Sequence, residues 1–135
     1  MELTRKGEYA IRGIVYLAGK PYGEIALVTE IAEKTDVSPA FLAKIFQSFA
    51  KVGLVRSYRG TGGGFVLGRP AAQITLREVV EAVEGPILPN RCIIGEGHCS
   101  KSHTCAVHPV WKRVQEQVTS ILDGVTIEEL ARGSR

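Results

Sequence analysis

The chain has 135 residues, 44% hydrophobic and 23% charged, with a formal net charge of +3. That is the size and make-up of one domain, or one domain with an appendage. No run of about 18 apolar residues marks a membrane span, and the opening residues, Met1 to Lys6, lack the layout of an export signal.

In chain order, Thr4 to Lys20 carries Tyr9, Ala10, Ile14, Val15, Leu17 and Ala18 at helical spacing, and Pro21 ends that helix. Val28 to Lys34 reads as a short helix with Thr29 as its N-cap. Asp36 and Val37 make a turn, and Ser38-Pro39 opens another helix, with serine as cap and proline in the first helical position. Leu42, Ile45, Phe46 and Phe49 form its core stripe, Ala40, Ala43, Lys44, Gln47 and Lys51 lie on the other side, and Gly53 stops it. Two extended segments follow, Leu54 to Tyr58 and Phe65 to Leu67, flanking a hairpin tip of composition Arg59-Gly-Thr-Gly-Gly-Gly64. A phosphate-binding loop is the wrong reading for this tip, because no Gly-Lys-Ser/Thr follows and a strand resumes.

Thr75 to Glu78 is a capping box that opens a short helix to Val83, and Gly85-Pro86 stops it. From Pro109 a longer helix runs to about Leu122, with Val110, Trp111, Val114, Val118, Ile121 and Leu122 apolar. Such a stripe demands a partner, either a second subunit or the rest of its own chain. A second capping box, Thr126 to Glu129, begins a last short helix.

Charge is unevenly spread. Val37 to Arg77 holds no Asp or Glu, while Lys44, Lys51, Arg56, Arg59, Arg69 and Arg77 are basic. This is the footprint of a polyanion-binding surface. Helix, turn, helix and basic hairpin is the order of a winged helix-turn-helix. The expected fold is therefore mainly α with a small β-hairpin wing, a winged helix-turn-helix plus a long C-terminal helix, which is a dimerisation helix on the second-subunit reading. Residues 1–85 form the DNA-binding unit, 86–108 a cysteine-rich loop, and 109–135 the dimerisation helix and tail. Ser38, Pro39, Ala40 and Lys44 would face the major groove, with Gln47 and Lys51 at base edges or backbone. Arg56, Arg59, Gly60, Gly62, Gly63 and Gly64 would bring the wing to phosphate or the minor groove.

All three cysteines, Cys92, Cys99 and Cys105, fall within fourteen residues of a polar, glycine-rich stretch, with His108 three positions after the last. Thiolate and imidazole are ligands for iron–sulfur clusters and for zinc. The spacings are wider than the close cysteine pairs of zinc fingers, which leaves zinc as the rival metal. A metal-free thiol switch, with Cys99 and Cys105 forming a disulfide on oxidation, is the other alternative. An odd cysteine count with no export signal argues against a disulfide framework and for reduced thiols in the cytoplasm. No oxyanion arrangement or paired carboxylates can be read, so an enzyme is not expected.

Over nearly its whole length the chain resembles the winged-helix transcription regulators of the IscR and NsrR type, which carry an iron–sulfur cluster. The resemblance rests on Leu3 to Ala10, Ile31 to Glu33, Ser38 to Phe46, Gly53 to Val55, the Arg59 to Gly64 wing and the Cys92 to His108 loop. It implies a homodimer on a partly palindromic double-stranded DNA operator, joined through the helix from Pro109. It also implies one cluster per subunit on Cys92, Cys99 and Cys105. Of the cluster types, 2Fe–2S is favoured over 4Fe–4S, because imidazole can ligate a 2Fe–2S iron. His108 is the first choice of fourth ligand, and Glu8 from the partner subunit is the alternative, as in NsrR-like proteins. Two departures from the IscR pattern stand out: six residues between Cys92 and Cys99 instead of five, and Ala43 in place of an acidic residue.

Overall fold

The computed structural model describes residues 4–60, 63–87 and 106–133. Helix α1 (Arg5–Ala18) starts where the Thr4 hydroxyl accepts the Gly7 N–H at 3.3 Å. Glu84 braces the same end from far along the chain, accepting the Thr4 N–H and hydroxyl, both at 2.9 Å. Ala10, Ile14 and Leu17 recur at helical spacing and are buried. Gly13 lies among them because a Cβ there would stand 2.7 Å from the Phe46 ring. Glycine thus lets two core helices close on each other.

Strands β2 (Val55–Tyr58) and β3 (Gly64–Leu67) form the expected hairpin, with Val55 opposite Leu67 and Tyr58 opposite Gly64. The sheet has a third strand that the sequence reading lacks: β1 (Ala26–Leu27) pairs antiparallel with β3, giving the order β1-β3-β2. Two residues cannot display an alternating pattern, so only the pairing reveals them as strand. Helix α2 (Val28–Thr35) follows at once, starting where expected but with a different cap. Thr29 lies inside the first turn, Leu27 holds the cap position without a side-chain hydrogen bond, and the Val28 N–H is taken by the Gly63 carbonyl at 3.2 Å. A backbone acceptor on the wing does the work assigned to a threonine hydroxyl.

The turn after α2 runs through Asp36, whose φ of 57° is left-handed. The N–H groups of Asp36 and Val37 both close onto the Ala32 carbonyl, the latter at 3.0 Å, which ends the helix sharply. Helix α3 (Pro39–Lys51) begins as the sequence implies: Ser38 Oγ accepts the Phe41 N–H at 3.2 Å and Pro39 fills the first helical position. Its stripe of Leu42, Ile45, Phe46 and Phe49 is fully buried. Phe46 packs its ring 5.3 Å from Phe49 and 5.0 Å from Phe65, both at steep angles, which ties α3 to the sheet. Where β3 leaves the sheet, Gly68 passes so close to the turn after α3 that a Cβ would lie 2.3 Å from the Gly53 carbonyl oxygen.

Helix α4 (Leu76–Glu84) has the full reciprocal capping box: Thr75 Oγ1 accepts the Glu78 N–H at 3.2 Å, and Glu78 accepts the Thr75 N–H at 3.1 Å. Helix α5 (His108–Asp123) contributes no buried side chain, and Val110, Trp111 and Ile121 stand exposed on it. Helix α6 (Ile127–Gly133) opens with Thr126 accepting the Glu129 N–H at 3.2 Å. It returns to the winged unit. Ile127 is fully buried in the same cluster as Ile14 and Phe46, and its N–H donates to the Ile74 carbonyl at 2.9 Å. The core therefore draws on residues beyond α5, so residues 109–135 are not one appended segment. None of the described helices is long and apolar enough to cross a membrane.

Candidate nucleic-acid interface

With one side of α3 consumed by the core, its opposite side is presented outward. Ala40, Lys44, Gln47 and Lys51 follow one another at helical spacing and are all exposed, and Ser38 and Pro39 are exposed at the N-terminal end. Ala43, read from sequence as part of this side, is half-buried. A stripe with two lysines, a glutamine and small residues has the width and charge to lie in a DNA groove. The turn that aims it is braced from α1, since Arg12 donates to the Thr35 carbonyl at 3.3 Å.

Beside α3, the wing carries Arg56 on β2 and Arg59 and Gly60 beyond it, all exposed. The Gly63 N–H donates to the Gly60 carbonyl at 3.1 Å, closing a tight turn, and Gly63 has φ 65°, where a side chain is strained. Gly64 is different in kind. It is buried between β1 and β2, and a Cβ on it would meet Ile25 Cγ2 at 2.8 Å and the Ala26 carbonyl oxygen at 2.9 Å. Its glycine character therefore serves the packing of β1 against β3. Gly62 and Thr61 lie outside the described residues.

The six basic residues of the acid-free stretch do not act as one surface. Arg69 pairs with Glu78 at 2.5 Å, and Arg77 pairs with Glu81 at 2.7 Å and reaches Asp123 at 3.7 Å. Burial alone would push the Glu78 carboxyl up, but hydrogen bonds from Arg69 and from Thr75 hold it below its ordinary range. The Arg77 guanidinium is held charged chiefly by its hydrogen bond to Glu81. Both arginines are thus neutralised by acids on α4 or at the last residue of α5. Lys44, Lys51, Arg56 and Arg59 have no carboxylate within ion-pair distance among the described residues. The free charge is concentrated on α3 and the wing. The i,i+4 spacing of Arg77 and Glu81 was the available signal for this pairing, whereas the Arg69–Glu78 contact needs the fold.

A different cluster pins α1 to α2 away from this surface. Glu30 accepts from Lys20 at 2.6 Å and from the Tyr16 hydroxyl; these two bonds, Lys20 first, lower the Glu30 carboxyl, and the bond to Glu30 raises the Tyr16 phenol.

The expected ligands Cys92, Cys99 and Cys105 lie outside the described residues, as do His98 and His103. His108 is described. It is the first residue of α5, half-buried, and its Nδ1 is buried without a hydrogen-bond partner among the described residues. A buried, unsatisfied imidazole nitrogen is costly unless something occupies it, so the residue fits a ligand role. Glu8, the alternative, is exposed in the first turn of α1.

Comparison with known proteins agrees with this layout. The Rrf2 family, described as an iron-dependent transcriptional regulator, matches residues 3–133. The transcriptional regulator IscR of Xenorhabdus nematophila is 36% identical over 132 residues, spanning 98% of this chain and 80% of that protein. The oxidised form of Staphylococcus aureus CymR superposes with a TM-score of 0.77 at 27% identity, covering 97% of this chain and 96% of that one. CymR of Bacillus subtilis, the global cysteine regulator of that organism, gives 0.77 at 29% identity, covering 98% of this chain and 97% of that one. With helix, turn, helix and wing in place and the match running almost end to end, the chain belongs to the Rrf2 family of DNA-binding transcriptional regulators, which are not enzymes.

Proposed function

We propose that the protein is a cytoplasmic homodimeric regulator whose binding to a partly palindromic operator is controlled by an iron–sulfur cluster. The observation that carries the DNA half is the exposed, acid-free stripe of α3 beside the free cations of the wing. Ser38, Pro39, Ala40 and Lys44 enter the major groove, Gln47 and Lys51 follow along it, and Arg56, Arg59 and the glycines Gly60 to Gly64 approach the backbone or minor groove. The dimer half rests on α5. Its apolar positions fall on one arc, of which Val110, Trp111 and Ile121 remain exposed in the single chain. A second copy of α5 would cover them.

Cys92, Cys99, Cys105 and His108 would hold one cluster per subunit, with 2Fe–2S preferred, and the unsatisfied His108 Nδ1 supports the fourth position. When bound, the cluster would supply a redox-responsive group that oxidants or nitric oxide can damage, more readily for a site closed by imidazole than by a fourth thiolate. His108 begins α5, so a ligand on its ring would bear directly on the start of the helix proposed to join the subunits. The protein's own part is to set that ring, hold three thiolates nearby in sequence, and aim α3.

A second reading has support of its own: the similarity to the oxidised form of CymR favours a metal-free thiol switch. One experiment separates the two. Protein purified without oxygen and examined by native mass spectrometry, with iron and sulfide assayed, should be a coloured dimer carrying one cluster per chain. A colourless dimer without iron or sulfide refutes the cluster and leaves the thiol switch. Cys92→Ala should abolish cluster retention while the helical circular dichroism persists.

A further inference from the structure

We infer that the DNA-binding surface continues from α3 onto α1, where Arg5 takes a backbone phosphate at the rim of the groove that α3 enters. The inference rests on the DNA-binding role of α3. Between the first turns of α1 and the turn before α3 lies an open concavity of about 360 Å³, lined by Arg5, Tyr9, Asp36, Val37, Ser38 and Phe41. Ser38 is the cap of the groove-facing helix, so this hollow adjoins the end of α3 that enters deepest.

Phe41 forms its wall. It sits about a quarter-turn around α3 from the Ala40–Lys51 stripe, on the flank toward α1, and is 37% exposed although it is a large apolar ring. The ring is held in place from α1. Tyr9 meets it edge-on with centroids 5.8 Å apart, and the Arg12 guanidinium sits 5.2 Å from the Tyr9 centroid. A fixed aromatic on the flank of a recognition helix meets the sugar edge of the strand bordering the groove, not the bases. Beyond that sugar lies a phosphate, and Arg5 is the exposed cation on that side. It has no carboxylate within ion-pair distance among the described residues.

The acids nearby limit the site's extent. Glu8 is exposed in the same first turn of α1, Asp36 lines the hollow, and Glu84 is engaged by Thr4. With these around it, Arg5 serves a single phosphate, and Arg12, tied to Thr35 and Tyr9, positions the ledge.

The test uses the full chain and duplex DNA selected by the wild-type protein from a random-sequence pool. Arg5→Gln should weaken binding roughly three- to tenfold at low salt and lower the log–log salt slope by about 0.9 per bound chain. Arg5→Lys should restore both, and the ratio of selected to scrambled duplex should not change, because a phosphate carries no sequence information. The melting temperature should stay at the wild-type value. An unchanged slope in Arg5→Gln, while Arg59→Gln lowers it, overturns the inference and leaves the reading of α3 and the wing intact. Weaker binding with an early melt and an unaltered slope also overturns it, by making Arg5 a folding residue. If the wild type selects no duplex, both the inference and the DNA-binding reading fall.

Discussion

The division of the basic residues into free and neutralised sets predicts a specific salt dependence. Each phosphate neutralised by a lysine or arginine adds about 0.9 to the slope of log affinity against log salt. Lys44, Lys51, Arg56 and Arg59 then supply about 3.6 per bound chain, before any contribution from Arg5. Had Arg69 and Arg77 joined them, the value would be about 5.4. The perturbation is a pair of double variants. Lys51→Gln with Arg59→Gln should lower the slope by about 1.8 per chain, while Arg69→Gln with Arg77→Gln should leave it unchanged, since those charges are already spent on Glu78, Glu81 and Asp123. Fluorescence anisotropy on the selected duplex, repeated from low to physiological salt, measures both, with circular dichroism confirming that each variant is folded. A fall of the same size in the Arg69/Arg77 variant would refute the assignment, for it would mean that both arginines leave their carboxylates for DNA.

Further outcomes follow from the packing. Gly68→Ala must push a methyl against the Gly53 carbonyl, a backbone atom that cannot rotate away, and should destabilise the fold by about 1–3 kcal/mol, read as a lower denaturation midpoint. Ile127→Ala should cost about 2–5 kcal/mol in the same assay, as for a core residue; a neutral result would detach α6 from the winged core. For Glu78, a folded carboxyl lowered below 4.5 gives a stabilisation that is complete above that value and is lost as pH falls through the lowered one. Wild type and Glu78→Gln should therefore differ in melting temperature above about pH 5 and converge in acid; a constant gap would exclude the ion pair as its source.

Local chemistry made much of this fold readable. Ser38-Pro39, the Thr75–Glu78 box and the buried stripe of α3 each specify their structure within a few residues, so sequence and structure agree there. What escaped depended on partners distant in sequence. β1 exists because β3 lies beside it, and α2 needs no threonine cap because the wing offers a carbonyl. Arg69 looks free in sequence because Glu78 comes after the acid-free stretch, and only the turn through Ala71–Gln73 folds the two together. The flank formed by Tyr9 and Phe41 was hidden for a related reason. An aromatic residue one quarter-turn off a core stripe reads as core, and its exposure depends on how another helix packs. Among the proposed ligands, His108 is singled out in the sequence by its spacing to Cys105, and the structure adds a ring nitrogen without a hydrogen-bond partner among the described residues.

Helix α5 leans on α4 along one edge, tied by Gln115 to the Ile87 carbonyl at 3.0 Å, and buries none of its side chains in the core shared by α1, α3 and α6. Helix α5 is thereby the more weakly held element, although α4 before it and α6 after it both contribute to that core. In a separated chain α5 would exchange its amide hydrogens quickly while the helices before and after it stay protected. Helix α5 can thus come loose without unfolding the unit that reads DNA. Association would hold α5 in place, so the persistence of that helix becomes a direct report of assembly.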